Sequence, residues 1–324
     1  MNSLPFGNAN RYMKYMPLFI FLFLPFASPA QYHNLPIKLP IARVAFTKMT
    51  LKGSPDFLAA DKDDVWILNI DRVEKLSVKS KQPLLTVKIP GACGALIVGF
   101  HSVWVASCTK QSVYRFDRHT GKILATIPCG VSDKNGEISL AVGDGSVWIL
   151  SDSAGILIRI DPATNSVINK IPVLPGSYCA AYGYNAVWIT NTVANSVQRI
   201  DPKTNSVVYT IPVGKTPRFL AAGQKGIWTL NQGDGSVSHI DPLLNKVIAV
   251  IDTKVPGTGG DIASGAGRIW VRATKERMLQ TINPVSNKVE TIYTPLSGSG
   301  AVRVTDHFTW VTAHDINTIW ILRR

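Results

Sequence analysis

The sequence predicts an all-β protein, a seven-bladed β-propeller with four antiparallel strands in each blade. Its first sign is a tryptophan that recurs seven times, in similar apolar settings, at intervals of 38 to 44 residues. Each interval holds short period-two runs rich in β-branched residues and separated by turn residues, which is typical of antiparallel strands. No stretch beyond residue 40 shows sustained helical periodicity. Four strands per repeat indicate propeller blades, because only a ring lets each sheet pack on its neighbours. The recurring tryptophans are Trp66, Trp104, Trp148, Trp188, Trp228, Trp270 and Trp310.

The chain start is typical of a secretory signal peptide, residues 1–30. Arg11 and Lys14 precede an apolar run from Met16 to Phe26, and Ser28-Pro29-Ala30 supplies small residues for cleavage. A membrane anchor is the alternative. As a helix, this run spans about 16 Å, well short of a bilayer core of about 30 Å. The sequence therefore favours cleavage over anchoring.

Cleavage leaves Gln31 as the expected new N-terminus, and an alternative start at Met13 leaves this argument unchanged. Residues 31–42 are expected to form a leader. No later segment is long and apolar enough to cross a membrane. We therefore expect an exported protein, periplasmic or extracellular, whose residues 43–324 form one propeller domain.

The stretch Val187 to Gly214 is the clearest copy of the repeat. A short apolar strand and a tight turn precede each tryptophan strand, and a polar loop, a third strand, a turn and a fourth strand follow it. The last unit stops after its third strand, Thr318 to Leu322. The segment Ala45 to Leu51 aligns with a fourth strand, Val207 to Val213. We therefore expect the N-terminal strand to complete the seventh blade and close the ring.

The repeat resembles the YVTN-type family of seven-bladed propellers, which includes virginiamycin B lyase-like proteins. The matching residues are Val187-Trp188-Ile189-Thr190-Asn191, Ser196-Val197 and Ile200-Asp201, and the resemblance covers about residues 43–324. It implies the fold. For the lyases it also implies a His and a Glu acting with a divalent metal ion on one face. The Asp-Gly-Asn-x-Trp-Phe repeats typical of those lyases are absent from this chain.

Related propellers bind ligands where loops join the fourth strand to the next blade and the second strand to the third. Polar residues that start inner strands there are candidate ligand-binding residues. Their carboxylates would suit a divalent cation or acid–base chemistry, and their arginines would clamp a carboxylate or phosphate. The alternative is that these groups only satisfy one another around a water-filled channel. The candidates are Asp56, Glu137, Tyr178, Arg218, Asp261 and Arg303, with His314 in a loop at the same end.

Four cysteines suit an exported protein with one disulfide. Pairing the strands around the turn Gly99 to Ser102 places Cys93 opposite Cys108, within disulfide range. Cys179 aligns with an apolar position and is expected to be a buried thiol. Cys129 is expected to be free, although a bond between Cys129 and Cys179 across neighbouring units stays open.

The formal charge of +13 falls to about +11 once the signal peptide is removed. Basic residues are dispersed, with no basic run or helix, which argues against nucleic acid as the partner. Three functions remain, in this order. The first is an exported module that binds a small molecule, or a protein or cell-envelope partner, without chemistry. The second is a metal-assisted lyase or lactone hydrolase with a divalent cation. The third is a binder of polyanions or nucleic acid, which would require steep salt dependence.

Overall fold

A computed structural model describes residues 35–80, 82–130, 138–151, 155–254, 256–257, 259–273, 278–294 and 299–324. The described chain opens with β1 (Ile37–Pro40), the helical turn α1 (Ile41–Val44) and β2 (Ala45–Thr50). Blade 1 contains β3 (Leu58–Asp61), β4 (Asp64–Asn69), β5 (Arg72–Leu76) and β6 (Leu85–Lys88). Blade 2 contains β7 (Ala92–Gly99), β8 (Ser102–Ser107), β9 (Ser112–Asp117) and β10 (Ile123–Pro128). Blade 3 contains β11 (Ser139–Gly143), β12 (Ser146–Ser151), β13 (Ile156–Asp161) and β14 (Ser166–Pro172).

Blade 4 contains β15 (Ser177–Gly183), β16 (Ala186–Asn191), β17 (Ser196–Asp201) and β18 (Ser206–Pro212). Blade 5 contains β19 (Pro217–Gly223), β20 (Gly226–Asn231), β21 (Ser236–Asp241) and β22 (Lys246–Asp252). Blade 6 contains β23 (Asp261–Gly265), β24 (Arg268–Ala273), β25 (Met278–Asn283) and β26 (Lys288–Thr294). Blade 7 contains β27 (Val302–Val304), β28 (Phe308–Ala313), a 3₁₀ turn (His314–Ile316) and β29 (Thr318–Arg323).

The seven sheets form a closed ring, which confirms the predicted fold class. Inner strands of successive blades contact one another, and β27 of blade 7 contacts β3 of blade 1. The N-terminal strand β2 pairs antiparallel with β29 as the outer strand of blade 7. This pairing confirms the predicted closure. It joins the two ends of the domain through backbone hydrogen bonds, so that the last blade has no missing strand.

The strand β1 adds a fifth strand to blade 6, pairing parallel with β26. It lies within residues 31–42, which the sequence analysis assigned to a leader. The residue that follows it, Ile41, is only 1% exposed and packs in a cluster with Trp270, Val302 and Leu322. Burial of this one side chain between blades 6 and 7 explains why the chain is held here.

The core lies between blades rather than in a single centre. Trp188 of blade 4, for example, packs with Leu220 and Ile227 of blade 5. In blades 2 to 6 the tryptophan indole also donates a hydrogen bond to the carbonyl of the last inner-strand residue, as from Trp188 to Gly183 at 2.9 Å. The tryptophan therefore anchors the first turn of its blade and buries a large apolar surface against the next.

Basic residues of the third strands join neighbouring blades. Arg159 lies 4.7 Å over the ring of Trp148 and donates to Asn205 Oδ1 at 2.9 Å in the next blade. Arg115 and Arg199 make the same contacts with Asn165 and Asn245. These turn asparagines have φ near +50°, a left-handed conformation that asparagine tolerates. The repeated arginines thus serve the fold, which accounts for part of the dispersed positive charge.

The described part of the chain contains no helix of the length and apolarity needed to cross a membrane. We call the end of the ring where the inner strands begin, near Asp56 and Asp261, the upper end. The end where they stop, near Gly143 and Gly183, is the lower end.

Candidate functional site

The upper end holds the candidate residues in two groups. An inner group lines or borders the ring axis, and an outer group lies in the loops of blades 7 and 1. Glu137, also a candidate, lies outside the described residues. The inner group is Tyr178, Arg218, Asp261 and Arg303, and the outer group is Asp56 and His314.

The ring encloses an axial cavity of about 360 Å³, lined by the inner strands of all seven blades. At one level of this wall, the inner-strand residue that pairs with the blade's tryptophan is alanine in five blades and Ile97 in blade 2. Blade 7 places Arg303 there, opposite Trp310. The short alanine side chains leave the axis open, and Arg303 brings a guanidinium into it. The five alanines are Ala59, Ala141, Ala181, Ala221 and Ala263.

Arg303 and Asp261 form an ion pair between blades 7 and 6. Asp261 is only 4% exposed, and its carboxylate also accepts hydrogen bonds from the amides of Ile262 at 2.8 Å and Val302 at 3.0 Å. Burial raises the pKa of Asp261, and the Arg303 guanidinium and the two amides oppose that rise. Three donors on one buried carboxylate satisfy it, so the pair fixes the position of Arg303 in the cavity wall.

Arg218 and Tyr178 border the same cavity from blades 5 and 4. The Arg218 guanidinium lies 4.3 Å from the centre of the Tyr178 ring, within range of a cation–π interaction. Tyr178 stands edge-on to Phe219, with 5.7 Å between ring centres, and its buried hydroxyl has no hydrogen-bond partner. Among the described residues, none forms an ion pair with Arg218.

The outer group brings His314 and Asp56 together although they are far apart in sequence. His314 Nδ1 lies 3.8 Å from Asp56 Oδ1, an ion-pair distance rather than a hydrogen bond. Asp56 is the largest cause of a raised pKa for His314; partial burial opposes the rise and Asp315 adds to it. The protonated histidine is therefore favoured at this end of the ring.

Arg272 lies beneath the outer group and is fully buried. It donates to the carbonyl of Ala273 at 2.6 Å and to that of Thr312 at 3.4 Å. Burial lowers the pKa of Arg272 to about 10, and the charges of Asp315 and Asp56 oppose that fall. The guanidinium thus places a buried positive charge under two loop carboxylates.

The sequence analysis did not single out Arg272, although the repeat contains a signal for it. The residue two positions after the tryptophan is apolar or threonine in the other six blades: Leu68, Ala106, Leu150, Thr190, Leu230 and Thr312. A lone charge at a position that faces the next blade is costly to bury, which is why such an exception deserves a functional hypothesis. Thr190 and Thr312 use this position differently. Each hydroxyl bonds its own inner strand and donates to a carbonyl of the next one, that of Arg218 or Asp56.

The fit of a divalent cation was tested against these side chains. Over the described residues, no group of three or more His, Cys, Asp and Glu side chains could hold a metal ion. Asp56, His314 and Asp315 therefore do not make a complete ligand set. Asp261 is committed to three donors, so it offers little to an ion.

The cysteines of the upper end have separate roles. Cys93 and Cys108 form a disulfide with 5.9 Å between Cα atoms. The ladder between β7 and β8 shifts register between Ala92 and Leu96. Cys179 lines the axial cavity, where burial raises the pKa of its thiol to about 11, so it stays protonated at neutral pH. Cys129 donates its thiol to the carbonyl of Gln111 at 3.4 Å.

No protein-family model and no curated protein matches this chain. Solved structures do match it. A streptogramin B lyase superimposes with a TM-score of 0.73 at 15% identity, covering 86% of this chain and 97% of the other. The chain has the fold of these lyases. A catalytically inactive histidine-to-alanine variant of virginiamycin B lyase from Staphylococcus aureus, solved with quinupristin, gives a TM-score of 0.72 at 13% identity over 86% and 98% of the two chains.

A chain of the mitotic checkpoint complex also has this architecture. It superimposes with a TM-score of 0.74 at 11% identity and covers 100% of this chain and 99% of its own length. At such identities the similarity shows the fold alone. The fold is shared by a lyase and by a subunit of a protein assembly, so function has to be argued from the side chains.

Proposed function

We propose that this protein is an exported propeller that binds a ligand or a protein partner at the upper end of the ring and performs no chemistry. The observation that carries the proposal is Arg272. Leucine, alanine or threonine fills its position in the other blades, so the fold does not need a buried arginine there. A charge that costs folding free energy is expected to serve a site, and the residues above it are Asp56, His314 and Asp315.

Export is part of this proposal. The signal peptide expected over residues 1–30 lies outside the described residues. The Cys93–Cys108 disulfide supports export, because such bonds persist in oxidising compartments and are rare in the cytosol of most organisms. Secretion can be tested by N-terminal sequencing of the mature protein, with Gln31 as the expected first residue. A mature protein that retains residues 1–30 would contradict this part.

The binding proposal is tested by a thermal-shift screen with three proteins. These are the wild type, the upper-end variant Asp56→Asn/His314→Gln, and the control His307→Gln. His307 pairs with Asp63 at the lower end at 2.7 Å, so the control removes a matched histidine–aspartate contact. A ligand of the folded state raises the Tm by mass action.

We expect at least one small molecule, or a purified partner, to raise the Tm of wild type and control but not that of the upper-end variant. Equal stabilisation of all three proteins by every ligand found would contradict a site at the upper end. The variant Arg272→Leu restores the residue of blades 1, 3 and 5. We expect it to fold and to lose the same response.

A metal-assisted lyase is the second candidate, and one observation favours it. His314 lies beside two carboxylates at the upper end of a fold shared with virginiamycin B lyase. The test is incubation with quinupristin and Mg²⁺ or Mn²⁺, followed by mass spectrometry. Conversion that needs the metal and is lost in His314→Ala would replace the binding proposal. If quinupristin is recovered unchanged, the binding module stays the better account.

A further inference from the structure

The axial cavity has the size and lining of a ligand chamber. Its volume of about 360 Å³ falls within the range of roughly 300 to 1,000 Å³ typical of small-molecule pockets. Its wall is largely alanine, isoleucine, valine and phenylalanine, with few polar groups. Such a lining suits the apolar part of a small molecule, and the few polar groups then decide which head group it carries.

Arg303 supplies the free donors of this chamber. Its Nη1 is used by Asp261 and by the carbonyl of Val302 at 2.6 Å. Its Nε and Nη2 have no hydrogen-bond partner within the part of the chain that the structure describes, and the side chain is 29% exposed. Because Arg303 lines the cavity, these nitrogens are available to an acceptor inside it.

Asp261 offers no comparable attraction for a cation. Both of its oxygens already accept hydrogen bonds, from Ile262, Val302 and Arg303. The Asp261–Arg303 pair is neutral as a unit, and its unused hydrogen-bonding capacity is that of a donor. A carboxylate is the acceptor that a guanidinium binds best, by two parallel hydrogen bonds.

Arg218 and Tyr178 add positive charge and a second polar group toward the upper end. Arg218 has no ion-pair partner among the described residues and lies over the Tyr178 ring. Tyr178 lines the cavity, is 5% exposed and has a hydroxyl without a hydrogen-bond partner. An unpartnered buried hydroxyl is costly and points to a group that completes it. The electrostatic potential of the chamber therefore favours an anion.

We propose that the axial cavity binds a small apolar monoanion, such as a medium-chain carboxylic acid, with its head group on Arg303 and its apolar body along the alanine wall. This inference rests on the proposed function, because it names a ligand class for the inner group at the upper end. It assigns no role to the outer group, Asp56 and His314, so the two sites are tested separately.

The experiment is calorimetric titration of the mature protein with three probes that share one tail: octanoate, 1-octanol and octylammonium. We expect octanoate to bind with a Kd at least ten-fold lower than that of either other probe. Removing Arg303 alone would leave Asp261 buried without its partner. The pair variant Asp261→Asn/Arg303→Gln instead keeps two neutral, hydrogen-bonding side chains.

We expect the pair variant to weaken octanoate at least ten-fold and to leave 1-octanol within two-fold. Ala181→Leu fills the cavity and should weaken octanoate and 1-octanol alike. Arg268→Ala, an exposed arginine at the lower end, is the control and should change nothing. Tm values show that each variant is folded.

Three outcomes overturn the inference. They are no binding of octanoate by the wild type, equal binding of octanoate and 1-octanol, and octanoate binding that survives both the pair variant and Ala181→Leu. None of these affects the outer group, whose test uses Asp56→Asn/His314→Gln. Conversely, an outer group without a ligand leaves octanoate binding and its loss in the pair variant unchanged.

Discussion

Replacing Arg159 by alanine tests how the blades are joined. The Arg159 guanidinium stacks on Trp148 at 4.7 Å and donates to Asn205 Oδ1 at 2.9 Å in the next blade. It also forms an ion pair with Asp144 at 2.9 Å, and the side chain is only 13% exposed. One substitution therefore removes a contact within blade 3 and a contact between blades 3 and 4.

The expected loss follows from these contacts. A cation–π contact contributes about 0.5–2 kcal/mol, a hydrogen bond from a charged donor about 1.5–3 kcal/mol, and a half-exposed ion pair about 0–1 kcal/mol. Together they predict a loss of about 2–6 kcal/mol in the free energy of unfolding, with values toward the lower limit because the turn at Asn205 faces solvent. Arg159→Lys should lose most of this, since an ammonium cannot reproduce the planar fork.

The assay is urea unfolding followed by tryptophan fluorescence. Asn205→Gly removes the acceptor while keeping the left-handed backbone at φ 51°. The double variant with Arg159→Ala should show a coupling energy of about 0.5–3 kcal/mol. Arg268→Ala is the matched control, because Arg268 is 47% exposed and touches only Glu290 at 3.2 Å. If Arg159→Ala costs no more than this control, the blades are not held together by their arginines.

Three further predictions concern other parts of the ring. Replacing both Cys93 and Cys108 by alanine should cost about 3 kcal/mol for a loop of about 15 residues, measured by urea unfolding; a variant as stable as wild type would contradict this. Gly143→Ala should cost about 1–3 kcal/mol, because the new Cβ would overlap the ring of Tyr182, and an unchanged Tm would refute that overlap. The stability difference between wild type and His314→Ala should be about 0.2–1 kcal/mol below pH 6.5. It should disappear as pH rises through the raised pKa of His314, since only the charged ring pairs with carboxylates, and a difference that grows with pH would contradict the ion pair.

The repeat made most of the fold predictable from sequence. Strand alternation, turn residues and the recurring tryptophan are local signals, and each is repeated seven times. The missing last strand and the aligned segment Ala45 to Leu51 were enough to predict closure, which β2 and β29 confirm. The same local pattern placed Cys93 close to Cys108, and the structure contains that bond.

The candidate site was less accessible, because it depends on which strand positions meet across the ring. Arg303 falls opposite Trp310, further along its strand than the other candidates, and its partner Asp261 comes from the preceding blade. The order of polar residues along the chain does not contain that pairing. It arises from the stagger between two inner strands.

The sequence by itself determined that seven similar sheets form one ring, since a β-sheet with two apolar faces has to pack on both sides. Only the tertiary structure decided which charges meet: Asp261 with Arg303, Asp56 with His314, and the buried Arg272 beneath Asp56 and Asp315. The physical reason is the range of the interactions. Alternation and turns depend on neighbours along the chain, whereas each of these contacts joins residues at least 41 positions apart, brought together by the packing of separate blades.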